Sequence, residues 1–409
     1  MNPLQHRNFR LLLSGQLVSN LGSSLFVLAL FWQVQASTKN PQNVAWLGLA
    51  MTLPSVTGFL TGAIVDRVNR QQLLWATDVV RFLLVGGLTV LLMVHAFYFW
   101  LVVPAFWVVN VAGNLFWPAM QTLLVDVVPV QDRTGAVGFM EASGQFSNAV
   151  AGLLGSFMIA ALGSIILFAF NAATFLISVA SLIALRLPRR PGVLPTRDRR
   201  RWHVRDWFAE TREGLDGLWR WRVIRWVLPP VIVMNLAYAP FLALSPAWSA
   251  NVLHRGPLGY SLLILAESVG SLGGSLLAGV LYRRWRGPLP WNAGLGLSLL
   301  LFLFPVIPTL PVDFGALLAF GLGTGMINTL FLGLIQRRIP DSVLGRTFST
   351  LGTVFGAALP VGTALVGIFV GSVGLFGIFA AATAGIVAAT VYLLTLLRFN
   401  PAVGREVTG

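Results

Sequence analysis

Twelve apolar stretches, each long enough for a helix to cross the hydrocarbon of a bilayer, constrain this chain more than any other feature. They run approximately over 9–36, 44–65, 73–96, 99–125, 138–161, 164–187, 223–250, 258–282, 289–308, 312–336, 347–371 and 374–397, divided by charge clusters, Gly/Pro turns and polar breaks. A spanning helix needs roughly 20 residues. Only 10% of the 409 residues are charged and 56% are hydrophobic, whereas soluble domains carry about 25% charged residues. Too little polar surface exists to face water. The sequence therefore predicts an all-α membrane protein with twelve transmembrane helices. The first stretch opens at Asn8-Phe9-Arg10 with no small-residue cleavage site behind its apolar run, so it is read as a retained span rather than a signal peptide.

Charge placement sets the expected orientation. With the N-terminus in the cytoplasm, the inner side receives Arg7, Arg10, Arg67, Arg70, Arg81, Arg133 and the basic run from Arg186 to Arg225. It also receives Arg283, Arg284, Arg286, Arg337, Arg338, Arg346, Arg398 and Arg405, leaving Lys39 and Arg255 outside. Such a bias is the positive-inside pattern, with both termini cytoplasmic. It also accounts for the formal net charge of +14 without nucleic acid, because these residues face anionic lipid headgroups.

The longest polar interruption, 188–222, divides the spans into two sets of six. It opens as a linker, Pro188-Arg189-Arg190-Pro191-Gly192, and from Trp202 places Val204, Trp207, Phe208, Thr211, Leu215 and Leu218 at helical spacing. That pattern suits an amphipathic helix on the inner membrane surface; a linker with chance periodicity is the alternative. The halves repeat. Gly62-Ala-Ile-Val-Asp66-Arg67 closes span two and Gly279-Val-Leu-Tyr-Arg283-Arg284 closes span eight, while Val128-Pro129 with Arg133 matches Ile339-Pro340 with Arg346. The expected organisation is an N-terminal bundle (1–187), a basic linker (188–222), a C-terminal bundle (223–397) and a tail (398–409), pseudo-symmetric about a central cavity.

Between spans two and three lies Gly58-x-x-x-Gly62-x-x-x-Asp66-Arg67-x-x-Arg70. Glycines four apart let helices approach closely, and an Asp beside several Arg at a helix–loop junction can form a breakable ion-pair latch at an inner gate. The plain alternative is inner-loop arginines with a capping Asp. This loop resembles the signature of the major facilitator superfamily. Asn8-Phe9-Arg10, Gly15-Gln16-Leu17-Val18-Ser19-Asn20-Leu21-Gly22, Asp78-x-x-Arg81 and Pro257-Leu258-Gly259-Tyr260 are similar to its bacterial drug and siderophore efflux branch, which includes macrolide pumps and enterobactin exporters. The resemblance covers nearly the whole chain. It implies an inner-membrane carrier that exchanges an outgoing amphiphile for incoming protons, with Asp78 and Arg81 beside Gly62, Asp66, Arg67 and Arg70 at the gate. Three departures from that pattern stand out: Ser23 where relatives often carry an acid, Met120 where an Arg often follows Pro-Ala, and Ala151-Gly152-Leu-Leu-Gly155-Ser156 without its Pro.

An acid inside hydrocarbon costs at least a few kcal/mol, which makes it a functional candidate. Two are expected clearly within spans. Glu267 falls near the middle of span eight and suits proton exchange, or alternatively a structural bond to a neighbouring helix. Glu141 opens a stripe with Gln145, Asn148, Gly152 and Gly155 in span five and serves coupling or an ordinary gate ion pair. Asp126, at the end of span four, reads as a gate or cap residue.

Neutral polar faces recur in four spans. Trp107, Asn110, Asn114, Trp117 and Gln121 share one face of span four. Gln16, Asn20 and Ser23 do so in span one, Asn235, Tyr238, Ser245 and Ser249 in span seven, and Asn328 with Phe331 in span ten. Carboxamides facing lipid would be unsatisfied, so these faces should look inward. Aromatic surface with neutral hydrogen-bonding groups suits an amphiphilic organic ligand; bonding that merely holds helices together is the alternative. By resemblance, spans one, four, seven and ten line the superfamily's cavity. Pro104 and Pro118 in span four, and Pro229, Pro230, Pro240 and Pro246 in span seven, are expected to kink those helices.

The chain has no Cys, hence no thiol nucleophile, disulfide or iron–sulfur ligand. His6, His95, His203 and His254 are scattered, which argues against a His-based metal site. No phosphate-cradling Gly-x-x-x-x-Gly-Lys-Ser/Thr run occurs. The expectation is a monomeric, cofactor-free, non-enzymatic secondary transporter exporting amphiphiles against protons. A uniporter or importer of a small metabolite and a non-transporting membrane assembly protein remain as alternatives.

Overall fold

A backbone in hydrocarbon has no water to bond, so its N–H and C=O groups must satisfy one another. The computed structural model describes residues 3–57, 68–129, 132–185, 222–284, 288–338 and 341–399, and every regular element among them is helical. These are α1 (Arg7–Thr38), α2 (Pro41–Thr52), α3 (Arg70–Met93), α4 (Phe99–Val127), α5 (Arg133–Ile183) and α6 (Arg222–Asn251). There follow α7 (Gly256–Arg284), α8 (Leu289–Leu299), α9 (Leu303–Val306), α10 (Leu310–Arg338) and α11 (Asp341–Phe399). Nine helical segments among the described residues are long and apolar enough to cross a membrane. Gly58, Gly62, Asp66 and Arg67, the linker with its amphipathic segment, and the tail beyond Phe399 lie outside the described residues, as do the side chains of Gln121, Asp126, Arg133 and Glu141.

Two of these helices are too long for one crossing. At 1.5 Å per residue, the 51 residues of α5 and the 59 of α11 each exceed twice the thickness of a hydrocarbon core, about 30 Å. Each is interrupted by one glycine with a left-handed φ, Gly163 (φ 77°, ψ 163°) and Gly374 (φ 76°, ψ 169°), which a side chain would resist. The contacts show a reversal at both. Along α1, Asn20 and Ser24 meet Ser143 and Asn148 in ascending order, whereas Gly15 and Gly22 meet Ser181 and Thr174 in descending order. The first arm of α5 is therefore parallel to α1 and the second antiparallel. In α11, Gly362 abuts Leu236 and Gly385 abuts Ala237, although a straight helix would hold those glycines about 35 Å apart. The sequence breaks at 162–163 and 372–373 fall at these turns.

Contacts divide the chain into two compact units. One comprises Met1–Thr38 with Ala50–His203, the other Lys39–Leu49 with Val204–Gly409. The first stretch of α2 thus belongs with the second unit: the Gln42 side-chain amide donates to the Gly367 carbonyl at 3.1 Å, and Gly48 lies against Ala243.

Within the first unit, α1 lies between the arms of α5. Gly15 and Gly22 allow that approach, since a Cβ at either would lie 2.2 Å from Ser181 Oγ or 2.4 Å from Thr174 Oγ1. The second unit is built on a seam between α7 and α10. Cβ atoms at Gly274 and Gly325 would fall 2.0 Å and 2.1 Å from the carbonyl oxygens of Leu322 and Ser271, so backbone meets backbone there. Beside the seam, α6 stays helical through four prolines. Pro240 has no N–H for the Leu236 carbonyl, and α11 brings Gly362 against that oxygen. Trp248 is fully buried among Phe304, Phe376 and Phe379. Outward-facing apolar side chains such as Leu83, Leu154, Phe157 and Leu276 are exposed, which fits a lipid-covered surface.

Overpacking should be confined to the seam. Gly325→Ala is expected to cost about 1–3 kcal/mol, read as a lower unfolding midpoint in detergent. Gly315→Ala, on the same helix with open space at its Cβ position, should leave that midpoint unchanged or slightly raised.

Candidate functional site

Each unit encloses its own cavity. The one in the second unit has a volume of about 340 Å³ and is lined mainly by apolar side chains of α6, α7, α8, α10 and α11. Its polar members include Asn235 and Tyr238 from α6, Glu267 and Ser271 from α7, and Thr324 and Asn328 from α10. The Tyr238 hydroxyl donates a hydrogen bond to Glu267 Oε1. Glu267 thus has a neutral donor in place of a cation. Phe320 stacks on Tyr238 with ring centroids 6.0 Å apart, and Asn235 Nδ2 is turned back to the Val231 carbonyl at 2.9 Å. Trp291, only 6% exposed, lines the same cavity with its indole N–H unpaired.

The cavity of the first unit measures about 260 Å³ and is bounded by α1, α3, α4 and α5. Gln16, Ser19, Asn20, Ser23, Asn110 and Asn171 supply its polar wall, Phe26, Phe106, Phe116, Trp117 and Phe175 its aromatic wall, and Arg81 its charge. Arg81 lies at the midpoint of α3. Its Nη1 donates to Asp78 Oδ1 at 3.1 Å, and Asp78 is fully buried. The other carboxylate oxygen accepts from Ser178 Oγ at 2.6 Å, and Ser178 Oγ accepts from Gln16 Nε2 at 3.0 Å. A chain of bonds from α1 through the second arm of α5 therefore fixes the acid, and the acid fixes the guanidinium. Phe116 and Phe175 flank the guanidinium carbon at 4.9 Å and 5.6 Å.

The family model described as Major Facilitator Superfamily matches residues 12–363, well over half of the chain. This chain belongs to the major facilitator superfamily. Macrolide efflux protein A of Streptococcus pyogenes is 24% identical over 383 residues, covering 88% of this chain and 89% of that protein. The multidrug efflux pump Tap of Mycolicibacterium fortuitum is 26% identical over 390 residues, covering 91% of each. Among solved structures, the peptide transporter POT in complex with sulfate aligns with a TM-score of 0.74 at 12% identity, over 99% of this chain and 96% of that one. A bacterial homologue of the human lysosomal transporter Spinster, inward-facing and occupied, aligns with a TM-score of 0.64 at 14% identity, over 97% and 96%. These likenesses establish the fold. The protein is a multi-pass membrane transporter of this superfamily, not an enzyme.

Several sequence-selected residues come together in these cavities. Gln16, Asn20, Asn110 and Trp117 line the first; Asn235, Tyr238, Glu267, Asn328 and Phe331 line the second. Trp107 and Asn114 do not line the first cavity. Ser245 and Ser249 are buried and bond the carbonyls of Phe241 and Gly256. Asn148 accepts from Ser24 at 2.8 Å. Arg70 is the first residue of α3, behind the Asn69 cap whose side chain accepts from the Gln72 N–H.

Embedded acids extend beyond the two expected. Asp78 and Arg81 sit two turns or more into α3, within the span expected over 73–96, and Arg81 lines the cavity, whereas the sequence counted Arg81 with the inner-side charges and gave both residues to the gate. The i,i+3 acid–base pair within an apolar run was the available signal. Asp313, fully buried in the first turn of α10, accepts from the Trp248 indole N–H at 2.7 Å. It lies just inside a span limit, where hydropathy alone cannot separate a buried acid from a wet one.

Asp78 and Arg81 should behave as a unit. Arg81→Gln leaves an unpaired buried carboxylate and should cost about 3–5 kcal/mol, whereas the double variant Asp78→Asn/Arg81→Gln should recover most of that loss. A double-mutant cycle on chemical unfolding in detergent measures the coupling.

Proposed function

We propose that the chain is a secondary transporter of a bacterial inner membrane that exports hydrophobic or amphiphilic compounds by alternating access, in exchange for protons. The observation that carries this reading is the Tyr238–Glu267 pair in a cavity of about 340 Å³ with aromatic and aliphatic walls. A concave, mostly apolar site with a few fixed polar groups suits organic ligands of drug size. An acid bonded to a phenol can gain or lose one proton without leaving a cation unpaired. Relatives named as macrolide and multidrug efflux proteins point the same way for substrate class and direction.

In this proposal Glu267 is the proton carrier, with Glu141 as a second candidate on α5. Gln16, Asn20, Asn110, Trp117, Asn235, Tyr238, Asn328 and Phe331 are the proposed cavity surface. Gly62, Asp66, Arg67, Arg70 and Asp126 are assigned to an inner gate. The proposed topology has twelve spans in two six-helix bundles, with both termini cytoplasmic and the arginine-rich loops against anionic headgroups. The proposed working form is a monomer.

Inverted membrane vesicles with an imposed pH gradient test the assignment. Wild type should concentrate an amphiphilic dye, and Glu267→Gln should abolish gradient-driven accumulation while dye-for-dye exchange continues. A Glu267→Gln protein that still concentrates dye normally removes Glu267 from the mechanism.

A further inference from the structure

The cavity of the first unit has spare hydrogen-bond donors and an exposed positive end. Arg81 lines it, while its partner Asp78 is fully buried and contributes nothing to the lining. The ion pair therefore presents its guanidinium to the cavity and keeps its carboxylate behind. Only Nη1 is bound to Asp78. Nη2 lies beside Gly113, 3.0 Å from where a Cβ would stand, so the missing side chain leaves room for the guanidinium at the cavity wall.

Asn171 provides an independent indication. It is fully buried, lines the same cavity, and its Nδ2 has no partner among the described residues. Its Oδ1 is taken, accepting from Ser23 Oγ and Thr174 Oγ1, each at 3.4 Å. An unbonded buried amide costs on the order of 1–3 kcal/mol, and the group that would bond it must be an acceptor. Asn20 has already donated, through Nδ2 to Ser143 Oγ at 3.1 Å, and Asn110 donates to the Phe106 carbonyl at 2.8 Å. Arg81 is the one full charge that the described residues place on this wall, and Asn171 Nδ2 is its one fully buried side-chain nitrogen with no partner among them. Phe26, Phe106, Phe116, Trp117 and Phe175 complete the enclosure.

We infer that this cavity is a binding site for an anionic oxygen group carried on an aromatic or apolar body, such as a carboxylate or sulfonate. Arg81 and Asn171 donate to the oxygens and the phenyl rings hold the body. Asp78 is a positioning residue, since it touches Arg81 and Ser178 but not the cavity. A guanidinium fork suits two oxygens of one planar or tetrahedral anion, and it cannot be satisfied by an organic cation. The site deepens the export reading by naming a ligand class for the first unit, and its binding does not depend on proton coupling.

Fluorescence titration of the purified full chain in phosphatidylcholine nanodiscs provides the test, with anilinonaphthalene sulfonate as the anionic probe and ethidium as the cationic one. Three variants are compared: Arg81→Lys, Asn171→Leu, and Asp78→Asn/Arg81→Gln, which removes the pair together. Sulfonate affinity should fall about tenfold or more in the double variant and in Asn171→Leu, as expected for loss of a hydrogen bond to a charged group. Arg81→Lys should fall less, and ethidium affinity should stay within about twofold throughout. Because Arg81→Lys and Asn171→Leu neither strip a buried charge of its partner nor add one, they keep the test open if the double variant fails to fold.

Unchanged sulfonate affinity in any folded variant lacking these donors, or equal losses for both probes, overturns the inference. Adding phosphatidylglycerol to the discs distinguishes the source of the anion: weaker sulfonate binding that depends on Arg81 marks a lipid phosphate as a natural occupant of the same site. Sulfonate binding that persists in a protein unable to concentrate dye in vesicles would leave this site standing and count against proton-driven export alone.

Discussion

No water is available in hydrocarbon to satisfy a polar group, and the arrangement of this chain follows from that one constraint. Helices satisfy the backbone. What remains are the side chains that bond to nothing in their own helix, and these gather at contacts between helices or around the two cavities. Gln16 reaches Ser178, Ser178 reaches Asp78, and Asp78 holds Arg81. The first two links cross between elements, so the polar chain also fixes α1, α5 and α3 against one another. Where no side chain intervenes, glycine brings backbones together, as along the seam of Gly274 and Gly325.

The spans were legible because hydropathy integrates over many residues and tolerates local error. Even the hairpins within α5 and α11, which continue helically almost to the turning residue, were marked by the Gly and Ser breaks at 162–163 and 372–373. The cavity faces were harder to read. In α4 the lining residues are Phe106, Val109, Asn110, Gly113, Phe116 and Trp117, a face centred near Gly113. Selecting the most polar and aromatic positions shifted the face sideways, bringing in Trp107 and Asn114. A cavity-facing Gly, Val or Phe carries no polarity to mark it, while Trp107, 38% exposed, is compatible with an apolar surface.

Asp78 and Arg81 illustrate a second limit of legibility. In an averaged apolar window an acid and a base three residues apart alter the mean little, and their proximity to an arginine-rich loop invites assignment to the gate beside it. Only side-chain geometry shows that the pair is turned inward and that its carboxylate is bonded from α5. Asn171 is a lone amide in an apolar run, and nothing in its neighbours announces that one end will be bonded and the other left open.

The two embedded acids that line or support cavities differ in the charge of their partners, and this difference separates their roles. Tyr238 is neutral, so protonating Glu267 would leave no cation without its counter-charge. Protonating Asp78 would leave Arg81 buried without its counter-charge, a penalty of several kcal/mol unless another anion took its place. An anionic ligand at Arg81 would be such a replacement. The same pairing that makes Asp78 a poor independent proton carrier therefore makes the guanidinium beside it a suitable anchor for the proposed anion, while the neutral partner of Glu267 fits the proton-carrying role proposed for that residue.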